Sequence, residues 1–212
     1  AAGGVASKWL AKEGSSEIGL IGSGVQAQYQ IEAHLDFMNI DHIKISDPNK
    51  QATKDLSDWI KKKDSSIDIS VTDIKNACDC DVLITTTPVR NPVVMDSMIV
   101  RSHTHINAIG ADAEGKQEIE GNLVKRSNVI VDDWTQTSHS GEINVPCHEG
   151  WFTKDMVAGE IGTIVAEADS SFKNVLTIFD STGLAIQDMA TANIVLKKAI
   201  EKGMGIDWSP LK

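Results

Sequence analysis

The sequence predicts an α/β protein built on a doubly wound parallel sheet, and three observations lead to this prediction. A short apolar run at 17–22 leads directly into the glycine turn Gly22-Ser-Gly24-Val-Gln-Ala27, and a helix-forming stretch follows without a gap. An acidic residue, Asp47, comes roughly 20 positions after the turn. Beyond it, strand-like and helix-like stretches alternate with short connections. Together these features are typical of a Rossmann-like domain that binds a dinucleotide.

Residue periodicity and turn signals predict each element of the first half in turn. Gly14 stops a short first helix. Ala27, Ile31 and Leu35 form the buried stripe of the first crossover helix. Asp47 is placed to cap the helix after it. The predicted helices are 5–12, 25–37, 48–62 and 73–77, and the predicted strands are 17–22, 42–46, 67–71 and 81–86.

The second half continues the alternation with looser patterns. The predicted strands are 104–109, 128–132 and 175–179, and the predicted helices are 119–126, 133–139, part of 155–168 and the amphipathic stretch 183–202. We expect an irregular tail at 203–212 and a single domain over 1–212, because no repeat or low-complexity linker interrupts the chain. The chain lacks an initial Met and opens on what reads as a helix already under way, so we expect it to be part of a longer protein.

Composition restricts the function classes. Of the 212 residues, 41% are hydrophobic and 24% are charged, which is ordinary for a soluble globular protein. The net charge of −10 argues against a nucleic-acid surface, and the basic run Lys61-Lys-Lys63 reads as the solvated end of a helix. No apolar run approaches a membrane span and no signal peptide is visible, so we expect no membrane partner.

The cysteines and histidines do not predict a metal site. Cys78, Cys80 and Cys147 cannot complete a disulfide framework, which favours a reducing cytoplasm, and the Cys78-Asp-Cys80 spacing is not that of a zinc knuckle. His103 and His105 would share one face of a predicted strand. Because no third ligand is evident, structural histidines are favoured over a metal pair.

The glycine turn is suited to a pyrophosphate. Gly22 permits the tight turn, Gly24 leaves room for phosphates against bare backbone, and Ala27 lets the helix pack closely on the strand. Asp47 is placed to accept hydrogen bonds from both adenosine ribose hydroxyls and to repel a 2′-phosphate, which favours NAD(H) over NADP(H). Helix capping is the alternative role of Asp47, and the two roles are compatible.

Other polar residues follow strands where we expect the ligand edge of the sheet. The threonines at 85–87 end one strand; they either line the dinucleotide or are simply β-branched strand residues ended by Pro88. Asp112 lies in a polar loop, where it is placed for proton transfer or for steering a substrate amine. The alternative is that this loop is simply a solvated acidic loop. Ser181 and Thr182 follow the last strand, where they could reach a polar headgroup of a ligand, although capping of the last helix is the default role.

Several motifs together resemble the ornithine cyclodeaminase/mu-crystallin family, and within it the archaeal-type alanine dehydrogenase branch. They are Ile21-Gly-Ser-Gly-Val-Gln-Ala27, Asp81-Val-Leu-Ile-Thr-Thr-Thr-Pro88, His105-Ile-Asn-Ala-Ile-Gly-Ala-Asp112, Gly115-Lys-Gln-Glu118 and Phe179-Asp-Ser-Thr-Gly-Leu-Ala-Ile-Gln-Asp188. The runs Val131-Asp-Asp133 and His139-Ser-Gly-Glu-Ile-Asn-Val145 resemble the alanine dehydrogenase branch in particular.

The resemblance implies the NAD-binding domain of an enzyme that interconverts L-alanine and NAD with pyruvate, ammonia and NADH. It implies that Asp112 is catalytic, and Gly22, Gly24, Asp47 and Ser181 match cofactor-contacting positions of the family, as does Thr85. With their neighbours, the predicted cofactor site comprises Gly22, Ser23, Gly24, Val25, Gln26, Asp47, Thr85, Thr86, Thr87, Ile109 and Ser181.

The family also implies an N-terminal part for substrate binding and homodimer formation, with arginines and a lysine that this sequence does not contain. We therefore expect an amino acid or oxo acid as the small-molecule partner, but little or no turnover by these 212 residues alone. Three other functions stay open: ornithine cyclodeamination, ketimine reduction, and non-catalytic binding of NAD(P)H and a small ligand in the manner of a mu-crystallin.

Overall fold

The computed structural model describes residues 1–206 and 208, which fall into two compact units. The first, Ala1–Thr182, holds the whole sheet, and the second, Gly183–Lys212, holds the last helix, Ala185–Glu201. The single domain that the sequence predicts over all 212 residues stays a prediction.

The predicted irregular tail at 203–212 lies partly outside the described residues. Residues 203–206 and 208 carry neither helix nor strand, in agreement with the prediction for them. In the described part of the chain, no helix combines the length and the apolar character that crossing a membrane requires.

Eight parallel strands form one sheet within the first unit. In chain order they are β1 (Glu17–Ile21), β2 (His42–Ser46), β3 (Asp68–Val71), β4 (Val82–Thr85), β5 (His105–Ala108), β6 (Asn128–Val131), β7 (Gly159–Glu160) and β8 (Thr177–Asp180). Their order across the sheet is β3-β2-β1-β4-β5-β8-β6-β7. The chain moves outward from β1 to β3, returns to β4 beside β1 and continues on the other side. This confirms the predicted doubly wound topology, whose switch point lies between β1 and β4.

Helices connect most of the strands. They are α1 (Ala2–Leu10), α2 (Val25–Leu35), α3 (Lys50–Lys63), α4 (Ile74–Cys78), α5 (Gly121–Arg126), α6 (Trp134–Ser140), α7 (Asn144–His148), α8 (Ile161–Glu167) and, in the second unit, α9 (Ala185–Glu201). Apolar clusters cover both faces of the sheet: Val82 and Ile84 belong to a cluster on one face and Leu83 to a cluster on the other. Successive side chains of a strand point to opposite faces, so β4 is buried on both sides, as a central parallel strand should be.

The structure differs from the predicted elements in several respects, including the following. Helix α3 is capped by Asn49, whose side chain accepts from the N–H groups of Gln51 and Ala52, so the prediction that Asp47 caps this helix is wrong. The short strand β7 precedes helix α8 inside the stretch predicted only as helical. Helix α7 was not predicted, because five residues that include Pro146 carry no helical period.

A buried histidine links helix α2 to helix α1. His34 contacts the Gln30 carbonyl oxygen through Nδ1 and the Ser7 hydroxyl through Nε2, each at 2.7 Å. Since a carbonyl only accepts, Nδ1 carries a proton, and in the neutral ring that burial favours, Nε2 accepts from Ser7. Burial lowers the pKa of His34 to about 4. Asn107 of β5 donates to the same Ser7 hydroxyl at 2.8 Å and so ties both helices to the sheet.

His105 lies in the sheet itself, fully buried. Its Nδ1 lies 2.8 Å from the Thr177 hydroxyl and its Nε2 lies 3.3 Å from Asn107 Oδ1. Burial lowers the pKa of this ring to about 3. Because β5 begins at His105, His103 lies outside the strand, where it contacts Asp81, and the predicted shared strand face is wrong. Among the described residues, no group of three or more His, Cys, Asp or Glu side chains is arranged to hold a metal ion.

The neutral His34 predicts a stability that depends on pH. The unfolded chain binds a proton at His34 near its ordinary pKa of 6.5, whereas the folded chain resists protonation down to about pH 4. The contribution is therefore complete above pH 6.5 and is lost as the pH falls through this window. We expect the unfolding free energy of the wild type, relative to His34→Gln, to drop by about 2 kcal/mol between pH 7 and pH 5 in urea titrations.

The difference between the two proteins is the quantity to follow, because the titration of other buried acids cancels from it. A difference that is the same at both pH values would mean that His34 is not held neutral by burial.

Candidate functional site

The glycine turn lies at the carboxyl end of β1, at the switch point of the sheet. Gly22 has φ of +97°, and a Cβ at this position would lie 2.9 Å from Thr86 Oγ1 and 3.0 Å from the Thr86 carbonyl oxygen. A glycine is therefore required both by backbone conformation and by the close approach of β4. The Gly22 N–H donates to the Ser46 carbonyl at 3.0 Å, which joins the turn to the end of β2 as well.

The far side of the same turn is open. Gly24 is the N-cap of α2, and a Cβ built on it would meet no atom within 4 Å. No side chain caps this helix, and Val25 and Gln26 in its first turn are exposed. Unpaired N–H groups and the positive end of the helix dipole thus face an unfilled space, an arrangement suited to an anion.

Asp47 follows β2 and lies directly against the glycine turn. Its Oδ2 accepts from the Ser23 N–H at 2.7 Å, and its Oδ1 accepts from the Asn49 N–H at 2.7 Å. Each oxygen keeps a further lone pair, so the carboxylate can accept from a ligand while it holds the turn in place. The side chain of Ser23 is also notable, because its hydroxyl oxygen is buried without a hydrogen-bond partner among the described residues.

The threonines after β4 do not all point into the crevice. The Thr86 hydroxyl contacts the carbonyl oxygens of Ile21 and Gly22 at 3.3 and 3.4 Å and so borders the glycine turn. Thr85 is fully buried and its hydroxyl donates to Glu118 Oε2 at 2.6 Å. The Thr87 hydroxyl donates to Glu118 Oε1 at 2.7 Å. Thr85 and Thr87 therefore both donate their hydroxyl hydrogen bonds to the buried Glu118 carboxylate.

The loop after β5 brings Asp112 to the same edge of the sheet. The N–H of Ile109 donates to the Thr85 carbonyl at 3.0 Å, which keeps the start of this loop beside the end of β4. The Asp112 side chain is 62% exposed and forms an ion pair with Lys116, four residues further on. The Gly115 N–H donates to Asn144 Oδ1 at 2.8 Å, which anchors the far end of the loop.

Ser181 completes the edge at the end of β8. Its N–H donates to the Ala108 carbonyl at 3.2 Å, and its hydroxyl lies 3.4 Å from Asp132 Oδ2. Asp132 also accepts from the Thr182 N–H at 2.8 Å. The N-cap of α9 is Leu184 and no side chain caps this helix, so the default capping role predicted for Ser181 and Thr182 is wrong.

Three buried carboxylates that were not predicted as site residues lie beside this edge: Glu118, Glu142 and Asp180. Burial raises the pKa of Glu118, although four donors to its carboxylate oppose the rise. Burial raises the pKa of Asp180 to about 8. Burial raises the pKa of Glu142 well above its usual value, and the neighbouring charges of Glu118 and Asp180 add to this effect. Glu118 and Glu142 are each followed by an isoleucine, Ile119 and Ile143, and this was the available signal in the sequence.

The contacts join the predicted site residues into one edge. They run from Asp47 through the glycine turn to Thr86, and from Thr87 through Glu118 to the start of the Asp112 loop. A crevice bordered by a glycine turn, an open helix N-terminus and a carboxylate after β2 has the layout of a dinucleotide-binding edge. The model of the ornithine cyclodeaminase/mu-crystallin family matches residues 1–203.

The chain belongs to this family.

Family membership confirms the resemblance seen in the motifs, and individual relatives support it. The chain is 43% identical over 211 residues to the alanine dehydrogenase of Archaeoglobus fulgidus, a match that covers 97% of this chain and 63% of that protein. It is 32% identical over 205 residues to the iminosuccinate reductase of Paracoccus denitrificans, a match that covers 96% of this chain and 63% of that protein. The chain thus spans 63% of the length of both curated relatives.

Solved structures agree. An archaeal alanine dehydrogenase dimer with bound NAD superimposes with a TM-score of 0.94 at 41% identity, covering 99% of this chain and 65% of that one. The Thermococcus litoralis Δ1-pyrroline-2-carboxylate reductase, solved with NADH and L-proline, superimposes with a TM-score of 0.90 at 33% identity, covering 98% of this chain and 65% of that one.

The two glycines of the turn predict losses of stability of different size. Gly22→Ala places a Cβ against Thr86 in a left-handed backbone conformation, and we expect it to lower the unfolding free energy by about 1–3 kcal/mol. Gly24→Ala meets open space at φ of −75°, and we expect a loss below about 1 kcal/mol. Urea unfolding of the two matched variants measures both values. Equal losses would contradict the described geometry of the turn.

Proposed function

We propose that this family member binds NAD(H) in the crevice at the carboxyl edge of its sheet and supplies the dinucleotide-binding part of an amino-acid oxidoreductase. The observation that carries the proposal is the open N-terminus of α2 behind Gly24, with Asp47 beside it. The relatives named above support it, because two of their solved structures hold NAD or NADH.

The residues present fit a dinucleotide. A Cβ at Gly24 would occupy the open space in which we place the pyrophosphate, and the α2 N–H groups are free to donate to phosphate oxygens. The buried Ser23 hydroxyl has no partner among the described residues, and a phosphate oxygen would supply an acceptor. The spare lone pairs of Asp47 suit ribose hydroxyls, while its charge disfavours a 2′-phosphate.

We propose the interconversion of L-alanine with pyruvate and ammonia as the reaction of the complete protein. The alanine dehydrogenase of Archaeoglobus fulgidus supports this assignment at 43% identity, compared with 32% for the iminosuccinate reductase. The nicotinamide would supply hydride exchange at its C4 atom. The Asp112 carboxylate is exposed beside the same edge, where a substrate amine can replace Lys116 as its partner.

Imine reduction is the second candidate reaction. The Thermococcus litoralis reductase favours it, because that structure has a TM-score of 0.90 and a cyclic amino acid in its site. We also propose that the complete protein forms a homodimer, as the archaeal alanine dehydrogenase does, through the family's N-terminal part.

The charge of Asp47 predicts a preference between the two cofactors. We expect calorimetric titration to give an affinity for NADH at least about tenfold higher than for NADPH, because the carboxylate accepts from ribose hydroxyls and repels a phosphate. Asp47→Asn should narrow this ratio. Gly24→Ala is the matched variant, because it should weaken both cofactors about equally without unfolding the chain. Equal affinities of the wild type for NADH and NADPH would contradict the proposed role of Asp47 in disfavouring a 2′-phosphate.

The position of Asp112 predicts a loss of turnover rather than of cofactor binding. In the complete protein, we expect Asp112→Asn to lower kcat for pyruvate, ammonia and NADH by about 100-fold, because it removes the group that receives the amine, with NADH affinity nearly unchanged. Absorbance at 340 nm and NADH fluorescence follow the two quantities.

The wild type is the control in this assay. Failure to consume NADH with pyruvate and ammonia at saturation rejects alanine as substrate, and NADH consumption with a cyclic imino acid instead supports imine reduction. Ammonia release from ornithine without net NADH change supports cyclodeamination. Tight NADH binding with no turnover of any amino or imino acid indicates a binding protein.

A further inference from the structure

Three buried carboxylates form a series at the carboxyl edge of the sheet, in which each accepts backbone N–H groups from the segment that carries the next. Asp180 accepts from the Glu142 and Ile143 N–H groups at 2.9 and 3.0 Å. Glu142 accepts from the Glu118 N–H at 2.9 and 3.0 Å and from the Ile119 N–H at 2.7 Å. The backbone that carries Glu118 is thereby fixed relative to β8.

Glu118 ends the series, and its carboxylate joins two loops. Its Oε1 accepts from the Thr87 N–H at 2.6 Å and from the Thr87 hydroxyl at 2.7 Å. Its Oε2 accepts from the Gly110 N–H at 2.8 Å and from the Thr85 hydroxyl at 2.6 Å. One side chain therefore supplies acceptors to the end of β4 and to the start of the Asp112 loop at once.

The segment after β4 and the start of the Asp112 loop also lie in direct contact. A Cβ at Gly110 would lie 2.3 Å from the Thr87 carbonyl oxygen and 2.5 Å from the Thr87 nitrogen, so the backbones are already in contact. Glu118 is fully buried, so water cannot readily replace it as an acceptor. The carboxylate thus determines how the two N–H groups, and the loops that carry them, are spaced.

We propose that Glu118 is a positioning residue that sets the distance between the segment at 85–87 and the Asp112 loop. This inference rests on the proposed function, in which the first segment borders the cofactor and the second carries the group that receives the substrate amine. Hydride transfer is sensitive to the separation and orientation of the two reactants, so a change in this spacing slows the reaction without removing either binding surface.

The decisive variant is Glu118→Gln in the complete protein. An amide offers one oxygen and one NH₂ group where the carboxylate offers two oxygens, so either the Thr87 N–H or the Gly110 N–H must face another donor. We expect hydrogen–deuterium exchange to rise in a peptide covering 85–90 or in one covering 109–115. We also expect kcat to fall at least about tenfold while KM for NADH changes less than about threefold.

Glu120→Gln is the matched control, because it makes the same change two residues away. Glu120 is half-buried and accepts from the Asp96 N–H at 2.7 Å, away from both loops. This variant should leave exchange in both peptides and kcat unchanged. An effect of Glu120→Gln equal to that of Glu118→Gln would overturn the proposal, as would an unchanged kcat in Glu118→Gln.

The exchange measurement keeps this inference separate from the proposed function. If the wild type turns over no substrate, the proposed function fails, whereas unchanged exchange in both peptides of Glu118→Gln refutes the coupling by Glu118 itself. If the variant does not fold, the wild type provides the test: the Thr87 and Gly110 amides should exchange as slowly as strand amides. Fast exchange at either amide in the wild type would overturn the proposal.

Discussion

The protein depends on finding acceptors for the backbone N–H groups that remain where its parallel strands end. Inside the sheet, N–H groups donate to carbonyls of neighbouring strands, whereas the N–H groups of Ser23, Thr87 and Gly110, beyond β1, β4 and β5, donate to side chains. The structure meets this demand with carboxylates: Asp47 accepts from the glycine turn, and Glu118 accepts from the loops after β4 and β5. At the N-terminus of α2 no described side chain accepts from the first N–H groups, and the proposed function places an anionic ligand there.

The same constraint explains why acids are so deeply buried in this chain. A carboxylate that accepts several N–H or O–H donors recovers much of the hydration that it loses on burial. Glu118 recovers it from four donors, and Asp180 from two backbone N–H groups. Both nevertheless have raised pKa values, because burial outweighs these bonds. Burying these acids therefore costs free energy, but their hydrogen bonds order the loops that they join.

The sequence predicted the sheet and the glycine turn well, because both depend on local patterns. Short apolar runs indicated the strands. The residues of the glycine turn, including Gly22 with its positive φ, are adjacent in the chain. The buried series was not predictable in the same way, since Glu118 and its partner Thr87 are separated by 31 positions. Nor could the local pattern show that Asn49, rather than Asp47, caps α3, because both Asn and Asp favour the N-cap position. What distinguishes them is the contact of the Asp47 carboxylate with the Ser23 N–H. The neutral His34 is a further case, because its partner Ser7 lies on another helix.

The strand order has a consequence for how the protein folds during its synthesis on the ribosome. Strand β8 lies between β5 and β6, although it is the last of the described strands along the chain. Until residues 177–180 have left the exit tunnel, β5 and β6 each present an unpaired edge, and the segment that forms β6 and β7 has no neighbour to join it to the rest of the sheet. Such open edges invite association with other nascent chains. The sheet can therefore close only after β8 has been made, and this strand joins two parts of the sheet that precede it in the chain.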